Sequence, residues 1–185
     1  NGSESLTSDG LTPKQQFSEI HGRTEKMLQD QHSAWLLLRP LLEKNGVKFL
    51  EMRSYNDEIK EYLHGRFMNE IYPVLTPMAF DPGHPFPHIS SLSMNLAVVV
   101  RHNQETKFAR VKIPDVLPRF LEIPESVSGQ NKIIFVFLED VIRSNIDELF
   151  PGTEIRDIRL FRIIRDTDLV IQEDEADDLL ETVDK

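Results

Sequence analysis

Basic residues recur in two segments of the chain that have the pattern of β-strands. Arg110 and Lys112 lie in KFARVKI, where polar and apolar residues alternate, so both cations share one strand face. Arg162 and Arg165 end a run of arginines spaced three residues apart. Guanidinium groups bind phosphate oxygens through paired hydrogen bonds, so these residues would suit a polyanion. The alternative is an ordinary exposed sheet face whose charges pair with acidic neighbours.

Two histidines in a proline-rich segment form a second candidate group. His84 and His88 flank Pro85-Phe86-Pro87. Two histidines four residues apart could share a metal ion on a helix, but these prolines exclude a helix. Imidazole titrates near neutral pH, so one of them could act as a nucleophile or proton shuttle, although no base lies beside it in the sequence. We expect a structural role for both and predict no metal site.

Other catalytic patterns are weak or absent in the sequence. Asp166 and Asp168 offer two carboxylates, at a spacing more typical of a turn than of an acid–base pair. The chain has no cysteine, no glycine-rich phosphate loop and no serine nucleophile elbow. We therefore predict that the chain contains no catalytic residue and holds no cofactor of its own.

The composition indicates a globular protein, of one domain or of one domain with an appendage. Hydrophobic residues make up 39% of the 185 residues and charged residues 28%. The net charge of −10 arises mostly after position 165, so the rest of the chain is nearly neutral and does not resemble a nucleic-acid-binding surface. No apolar run approaches the roughly 20 residues of a membrane span, so we expect no integral membrane segment.

The elements that must position the candidate residues begin with a long helix. Thr12 and Gln15 form a capping box around a proline at the first helical position. Helical spacing of apolar residues predicts a helix from Pro13 to about Lys44, ending at Asn45-Gly46. The other predicted elements are a strand at 47–52, a helix at 57–70 capped by Asn56, an extended proline-rich path at 71–96, hairpin strands at 96–101 and 107–113, a short strand at 119–123, a turn-rich loop at 124–131, a strand at 133–137, a helix at 138–150, strands at 154–165 and 169–171, and a last helix at 175–183.

This order predicts the α+β class, with a long N-terminal helix followed by a mixed, mostly antiparallel sheet with flanking helices. Residues 133–137 are entirely apolar, which is typical of a central strand. A helix of about 45 Å is long for a small domain and suggests a member of a helical bundle. Residues 1–9 are small and polar, and we predict that they are disordered. The chain does not begin with methionine, which suggests an excised piece of a longer protein.

A series of segments matches one known family. They are DGLTPKQQ from position 9, IYPVLTPMAFDPGHPFPHISSLSMNLAVVV from 71, KFARVKIPDVLPRF from 107, FVFLEDVI from 135, LFPG from 149, FRIIRDTDL from 161 and EDEADDLL from 173. In this order and spacing, they resemble the bacterial-type polyphosphate kinase over nearly the whole chain.

The resemblance implies a part of a four-domain enzyme that reversibly transfers the terminal phosphate of ATP to inorganic polyphosphate. Residues 1–46 would be a disordered tip and the last helix of an N-terminal helical domain. Residues 47–185 would be most of the head domain, with a phosphohistidine-phosphatase-like fold and an incomplete C-terminus. This segment would mediate a homodimer or tetramer and help to wall a polyphosphate tunnel. Its polyphosphate contacts would be Arg110, Lys112, Arg162 and Arg165.

The resemblance also implies what this chain lacks. The phosphorylated histidine and the main ATP contacts of the family lie in two C-terminal phospholipase D-like domains, and neither His84 nor His88 corresponds to that histidine. ATP and magnesium would serve the parent enzyme, and the chain alone would be inactive. The implied location is cytoplasmic, with peripheral membrane association left open.

Two alternatives remain. The chain could be a stand-alone phosphohistidine-phosphatase-like hydrolase that uses His84 or His88, an interpretation that depends on analogy of fold alone. It could also be a non-catalytic interaction domain, because the apolar stripe of the long helix would favour a partner.

Overall fold

The computed structural model describes residues 10–80, 89–103 and 105–164. Its elements confirm the α+β class. In chain order they are α1 (Pro13–Lys44), β1 (Val47–Phe49), α2 (Asp57–Arg66), β2 (Pro77–Phe80), β3 (Met94–His102), β4 (Glu105–Lys112), β5 (Phe120–Ile123), α3 (Glu125–Ser128), β6 (Ile133–Phe137), α4 (Leu138–Ser144) and β7 (Glu154–Arg162). The chain divides into two compact units, one of residues 1–50 and 122–135 and the other of residues 51–121 and 136–185.

Helix α1 dominates the first unit and has the predicted bounds. The Thr12 N–H donates to Oε1 of Gln15 at 3.0 Å, and the Gln15 N–H donates to Oγ1 of Thr12 at 3.3 Å, which completes the capping box. The helix ends at Lys44 with Asn45 as its C-cap, and Gly46 follows at φ +86°, a conformation that glycine adopts without strain. None of the residues of α1 is buried.

The strands β1, β6 and β5 form a three-stranded sheet with β6 in the middle, which confirms the predicted central position of residues 133–137. The pair β1–β6 is parallel. The ring of Phe49 on β1 lies 5.1 Å from that of Trp35 on α1 and 5.8 Å from that of Phe135 on β6. The strand predicted to reach residue 52 ends at Phe49, because residues 52–54 form a 3-10 turn.

The second unit contains an antiparallel sheet of order β2-β4-β3-β7. Strands β3 and β4 form the predicted hairpin. Strand β2 lies inside the proline-rich path and was not predicted. It is an edge strand, a place where a proline is tolerated because the missing N–H faces away from the sheet. The core of this unit includes Leu96, Val98 and Val111, which are completely buried.

The helices of the second unit are shorter than predicted. Oδ1 of Asn56 accepts the Ile59 N–H at 2.9 Å and so caps α2, but the regular helix stops at Arg66 and continues as a π turn over residues 67–71. Helix α4 stops at Ser144, and a 3-10 helix over Ile146–Leu149 covers most of the rest of the predicted range to 150. Nδ2 of Asn145 donates to the carbonyl of Val141 at 2.8 Å, and this local bond competes with continuation of the helix.

Several predictions fall outside the described residues. They concern the tip at 1–9, the strand at 169–171, the helix at 175–183, and the side chains of His84, His88, Arg165, Asp166 and Asp168. Within the described ranges, no helix combines the length and the apolar character that a membrane span requires.

Candidate anion-binding site

A cleft of about 510 Å³ lies in the second unit, at the end of the sheet where β3 begins and β4 and β7 end. Its wall contains three cations, Lys112, Arg119 and Arg162. It also contains the serines at positions 90, 91 and 93, in the turn that precedes β3. Ammonium, guanidinium and hydroxyl groups are all hydrogen-bond donors, so the cleft is suited to an anion.

The register of the strands explains how Lys112 and Arg162 reach the same cleft. Lys112 pairs with Asn95 on β3, and Arg162 pairs with Met94, the neighbouring residue on β3. Neighbouring residues on a strand point to opposite faces, so the two cations leave the sheet on opposite sides. Each is the last residue of its strand, however, and the cleft lies at that end. The structure thus brings together two of the four predicted residues.

Arg119 was missed by the sequence reasoning. Its Nη2 donates to Oε1 of Glu139 at 2.7 Å, and its Nε donates to the same oxygen at 3.2 Å. The Cζ atom lies 5.6 Å from the ring centroid of Phe137. These contacts fix the guanidinium while leaving 47% of the side chain exposed. Its position at the start of the predicted strand at 119–123 was visible in the sequence, but its contact with Glu139 was not.

The cluster keeps an excess of positive charge. Among the described residues, Lys112 pairs with Asp115 at 3.7 Å, and that carboxylate is 82% exposed. An exposed pair at this distance contributes about 0–1 kcal/mol, so Lys112 can exchange it for a ligand. Arg162 is exposed. Among the described residues, Asp115 and Glu139 count against the three cations, so this part of the site is net positive.

Arg110 has a different environment from the one predicted. Its alternation with Lys112 on β4 is present, but this part of the face is covered and Arg110 is only 7% exposed. Its Nε donates to Oδ1 of Asn95 at 2.8 Å, and Asn95 is completely buried. Arg110 therefore lies behind the cleft and does not line it.

The remaining arginines of β7 pair with neighbouring acids, as the alternative interpretation predicted for them. Arg156 lies 3.0 Å from Glu154, and Arg159 lies 2.9 Å from Asp157. The hydrogen bond from Arg159 lowers the pKa of the Asp157 carboxyl. In the part of the chain that the structure describes, no group of three or more acidic or histidine side chains could hold a metal ion.

Comparison with known proteins extends these observations. Residues 58–185 match the family model described as the polyphosphate kinase middle domain. The chain is 44% identical to a polyphosphate kinase of Aphanizomenon baltica, over 95% of this chain and 47% of that protein. It is 42% identical to one of Prosthecochloris aestuarii, over 100% of this chain and 27% of that protein.

The fold is also similar to that of a solved structure. The crystal structure of polyphosphate kinase from Porphyromonas gingivalis superposes with a TM-score of 0.71 and 28% sequence identity, over 91% of this chain and 28% of that chain. The chain thus spans between about a quarter and a half of the length of these relatives. On the strength of the family model and of these identities, the chain belongs to the polyphosphate kinase family.

Proposed function

We propose that this chain is the polyphosphate-binding part of a polyphosphate kinase, an enzyme that reversibly transfers the terminal phosphate of ATP to inorganic polyphosphate. The observation that supports this proposal is the convergence of Lys112, Arg119 and Arg162 on one cleft. Each phosphate of such a chain presents anionic oxygens, which cations and hydroxyls bind through charge-assisted hydrogen bonds. The relatives are polyphosphate kinases, and this supports polyphosphate as the polyanion.

The cleft offers groups that bind and orient a substrate. No histidine is among its described lining residues, so the structure gives no reason to assign phosphoryl transfer to this cleft. We propose that the transfer takes place in phospholipase D-like domains of the longer protein, which would also bind ATP and magnesium. The described residues contain no group of three or more acidic or histidine side chains that could hold a metal ion, so no residue of this cleft is assigned to magnesium.

We further propose that residues 1–46 belong to a preceding helical domain and residues 47–185 to the head domain. The exposure of apolar side chains along α1 supports this division, since Phe17, Met27 and Leu37 are each at least 70% exposed. The head domain would form the dimer or tetramer, and the enzyme would be cytoplasmic. Light scattering of the chain tests the oligomer: a strict monomer at high concentration would contradict it.

The binding proposal is tested with the full 185-residue chain and end-labelled long-chain polyphosphate, by fluorescence anisotropy. We expect binding that weakens between about 50 and about 200 mM salt, because the contacts are ionic. Arg162→Gln should weaken binding by about 10- to 100-fold, since a charge-assisted hydrogen bond contributes about 1.5–3 kcal/mol. Arg156→Gln is the matched control: it removes the same charge from the same strand, away from the cleft, and should change the affinity less than about threefold.

Equal losses in the two variants, or no binding at low salt, would contradict the assignment of the cleft. An activity assay is the second arm. The chain alone should show no ATP-dependent synthesis of polyphosphate and no self-phosphorylation. Either activity would contradict the proposal that phosphoryl transfer takes place in other domains of the longer protein. No described residue favours the hydrolase alternative.

A further inference from the structure

The turn at residues 90–93, which contributes three serines to the cleft wall, is held from two sides. On one side, the Leu92 N–H donates to the carbonyl of Ile163, directly after β7, at 2.8 Å. Within the turn, Oγ of Ser93 donates to the carbonyl of Ser90 at 2.7 Å. On the other side, Nδ2 of Asn95 donates to the Ser93 carbonyl at 2.9 Å and to its Oγ at 3.1 Å.

A buried hydrogen bond extends this chain of contacts to β4. Arg110 donates through Nε to Oδ1 of Asn95 at 2.8 Å, so the Asn95 amide has its oxygen and its nitrogen both engaged. Buried side-chain networks of this kind fix the orientation of their members. The route runs from Arg110 through Asn95 to the serine turn, which forms part of the cleft wall.

The backbone of the turn is strained. Leu92 has φ +61°, in the left-handed region that leucine seldom adopts. Its side chain is 60% exposed, so burial of the leucine does not compensate for this conformation. Strain of this kind persists only where the surrounding contacts determine the geometry, and it concentrates at binding sites. The hydrogen bonds that link the turn to the Ile163 carbonyl and to the Asn95 amide are such contacts.

We propose that Arg110 and Asn95 are positioning residues that hold residues 90–93 in this strained shape, so that the wall is preorganised for phosphate oxygens. A preorganised wall loses less conformational entropy when a ligand binds. The proposal rests on the proposed function of the cleft as a polyphosphate site. It gives Arg110 an indirect part in polyanion binding, in place of the direct contact predicted from the sequence.

The first test is Asn95→Ala, assayed with end-labelled long-chain polyphosphate well below the melting temperature of the variant. We expect about fivefold weaker binding, as for the loss of one hydrogen bond. The slope of log Kd against log salt should stay unchanged, because the cations remain in place. Arg162→Gln should lower both the affinity and the slope. A merely structural role for Asn95 would lower the melting temperature and leave the affinity of the folded protein as it was.

The second test avoids loss of folding. Leu92→Gly relieves the strain, because glycine adopts positive φ freely, so the melting temperature should be kept while the turn loosens and binding weakens several-fold. Leu92→Asn is its matched control. Asparagine also removes the leucine side chain, but it tolerates the left-handed conformation and is less flexible than glycine, so Leu92→Asn should weaken binding less than Leu92→Gly does.

The outcomes separate the two proposals. Wild-type affinity in folded Asn95→Ala, or in Leu92→Gly if the first variant does not fold, would overturn the positioning role while a weakened Arg162→Gln still supports the cleft. Wild-type affinity in Arg162→Gln would refute the cleft itself, and the positioning role would fall with it.

Discussion

Replacing Arg119 by methionine should destabilise the fold far more than an equivalent change elsewhere on the surface. The reason is its partner. Arg119 donates twice to Oε1 of Glu139, whose side chain is only 8% exposed, while Arg119 itself is 47% exposed. Methionine retains a flexible apolar stem beside Phe137 but removes every donor, so the carboxylate is left buried without its cation.

We expect Arg119→Met to lower the free energy of unfolding by about 2–3 kcal/mol. Hydrogen bonds to a charged group contribute about 1.5–3 kcal/mol, and loss of the cation–π contact adds about 0.5 kcal/mol at a half-exposed site. The cost stays below the roughly 3–5 kcal/mol for breaking a fully buried pair, because water can reach the cavity left by the arginine. For a chain of this size the melting temperature should fall by about 4–10 °C.

The assay is thermal unfolding followed by circular dichroism, with Arg101→Met as the matched control. Arg101 lies 2.6 Å from Glu154, and its side chain is 46% exposed, so distance and arginine exposure match those of Arg119. Its carboxylate partner, however, is 49% exposed and has a second cation, Arg156, at 3.0 Å. We expect a fall of less than about 3 °C for Arg101→Met, as for other surface pairs.

A double-mutant cycle completes the test. Glu139→Gln removes the charge that Arg119→Met leaves unpaired, so the double variant should be more stable than the sum of the two single effects predicts, with a coupling of about 2 kcal/mol. Equal losses of stability for the arginine variants at 119 and 101, or a coupling near zero, would refute the argument that burial of the carboxylate sets the cost.

Two further predictions concern the helices of the second unit. Burial raises the pKa of the Asp140 carboxyl above its ordinary value, so its contribution to stability is present at acidic pH and is lost as the pH rises through the raised pKa. Asp140→Asn should therefore raise the melting temperature at pH 7 by about 1–3 °C and lose this advantage below about pH 4, and a gain that is independent of pH would contradict it. Asn56→Ala removes the acceptor of the Ile59 N–H and should lower the free energy of unfolding, measured in urea, by about 1 kcal/mol. The control is Asn69→Ala, at an exposed position, which should lower it by less than half as much.

Local signals in the sequence were enough to predict the elements whose ends are set by nearby residues. Thr12 and Gln15 define the start of α1, and Asn45-Gly46 defines its end, through contacts only a few residues apart. The hairpin of β3 and β4 and the central strand β6 follow from apolar pattern alone. Strand β2 was missed because its existence depends on pairing with β4, some thirty residues later in the chain.

The cleft could be predicted only in part, because local patterns identify candidate residues but distant segments bring them together. The alternation of residues 107–113 predicted Lys112 on a strand face, and the three-residue spacing of the arginines made Arg162 a candidate. Neither pattern shows which strand ends meet in the fold. The alternation also does not show which part of a face is covered, so Arg110 appeared equivalent to Lys112 when it is buried. Arg119 became a candidate only because the fold places it in the cleft wall, where Glu139, twenty residues away in sequence, fixes its guanidinium.

The register of β3 and β4 connects folding with the site. Leu96 pairs with Val111 and Val98 with Ala109, and all four side chains are completely buried, so a slip of one residue would turn this apolar set to the opposite face. The same slip would move Arg110 away from the face of Asn95, because the two are diagonal neighbours on one face only in the native register. It would also turn the Lys112 side chain to the opposite face of the sheet. The hydrogen bond between Arg110 and Asn95 is therefore compatible only with the strand pairing that assembles the cleft, and the apolar pattern that specifies the sheet also specifies where its cations meet.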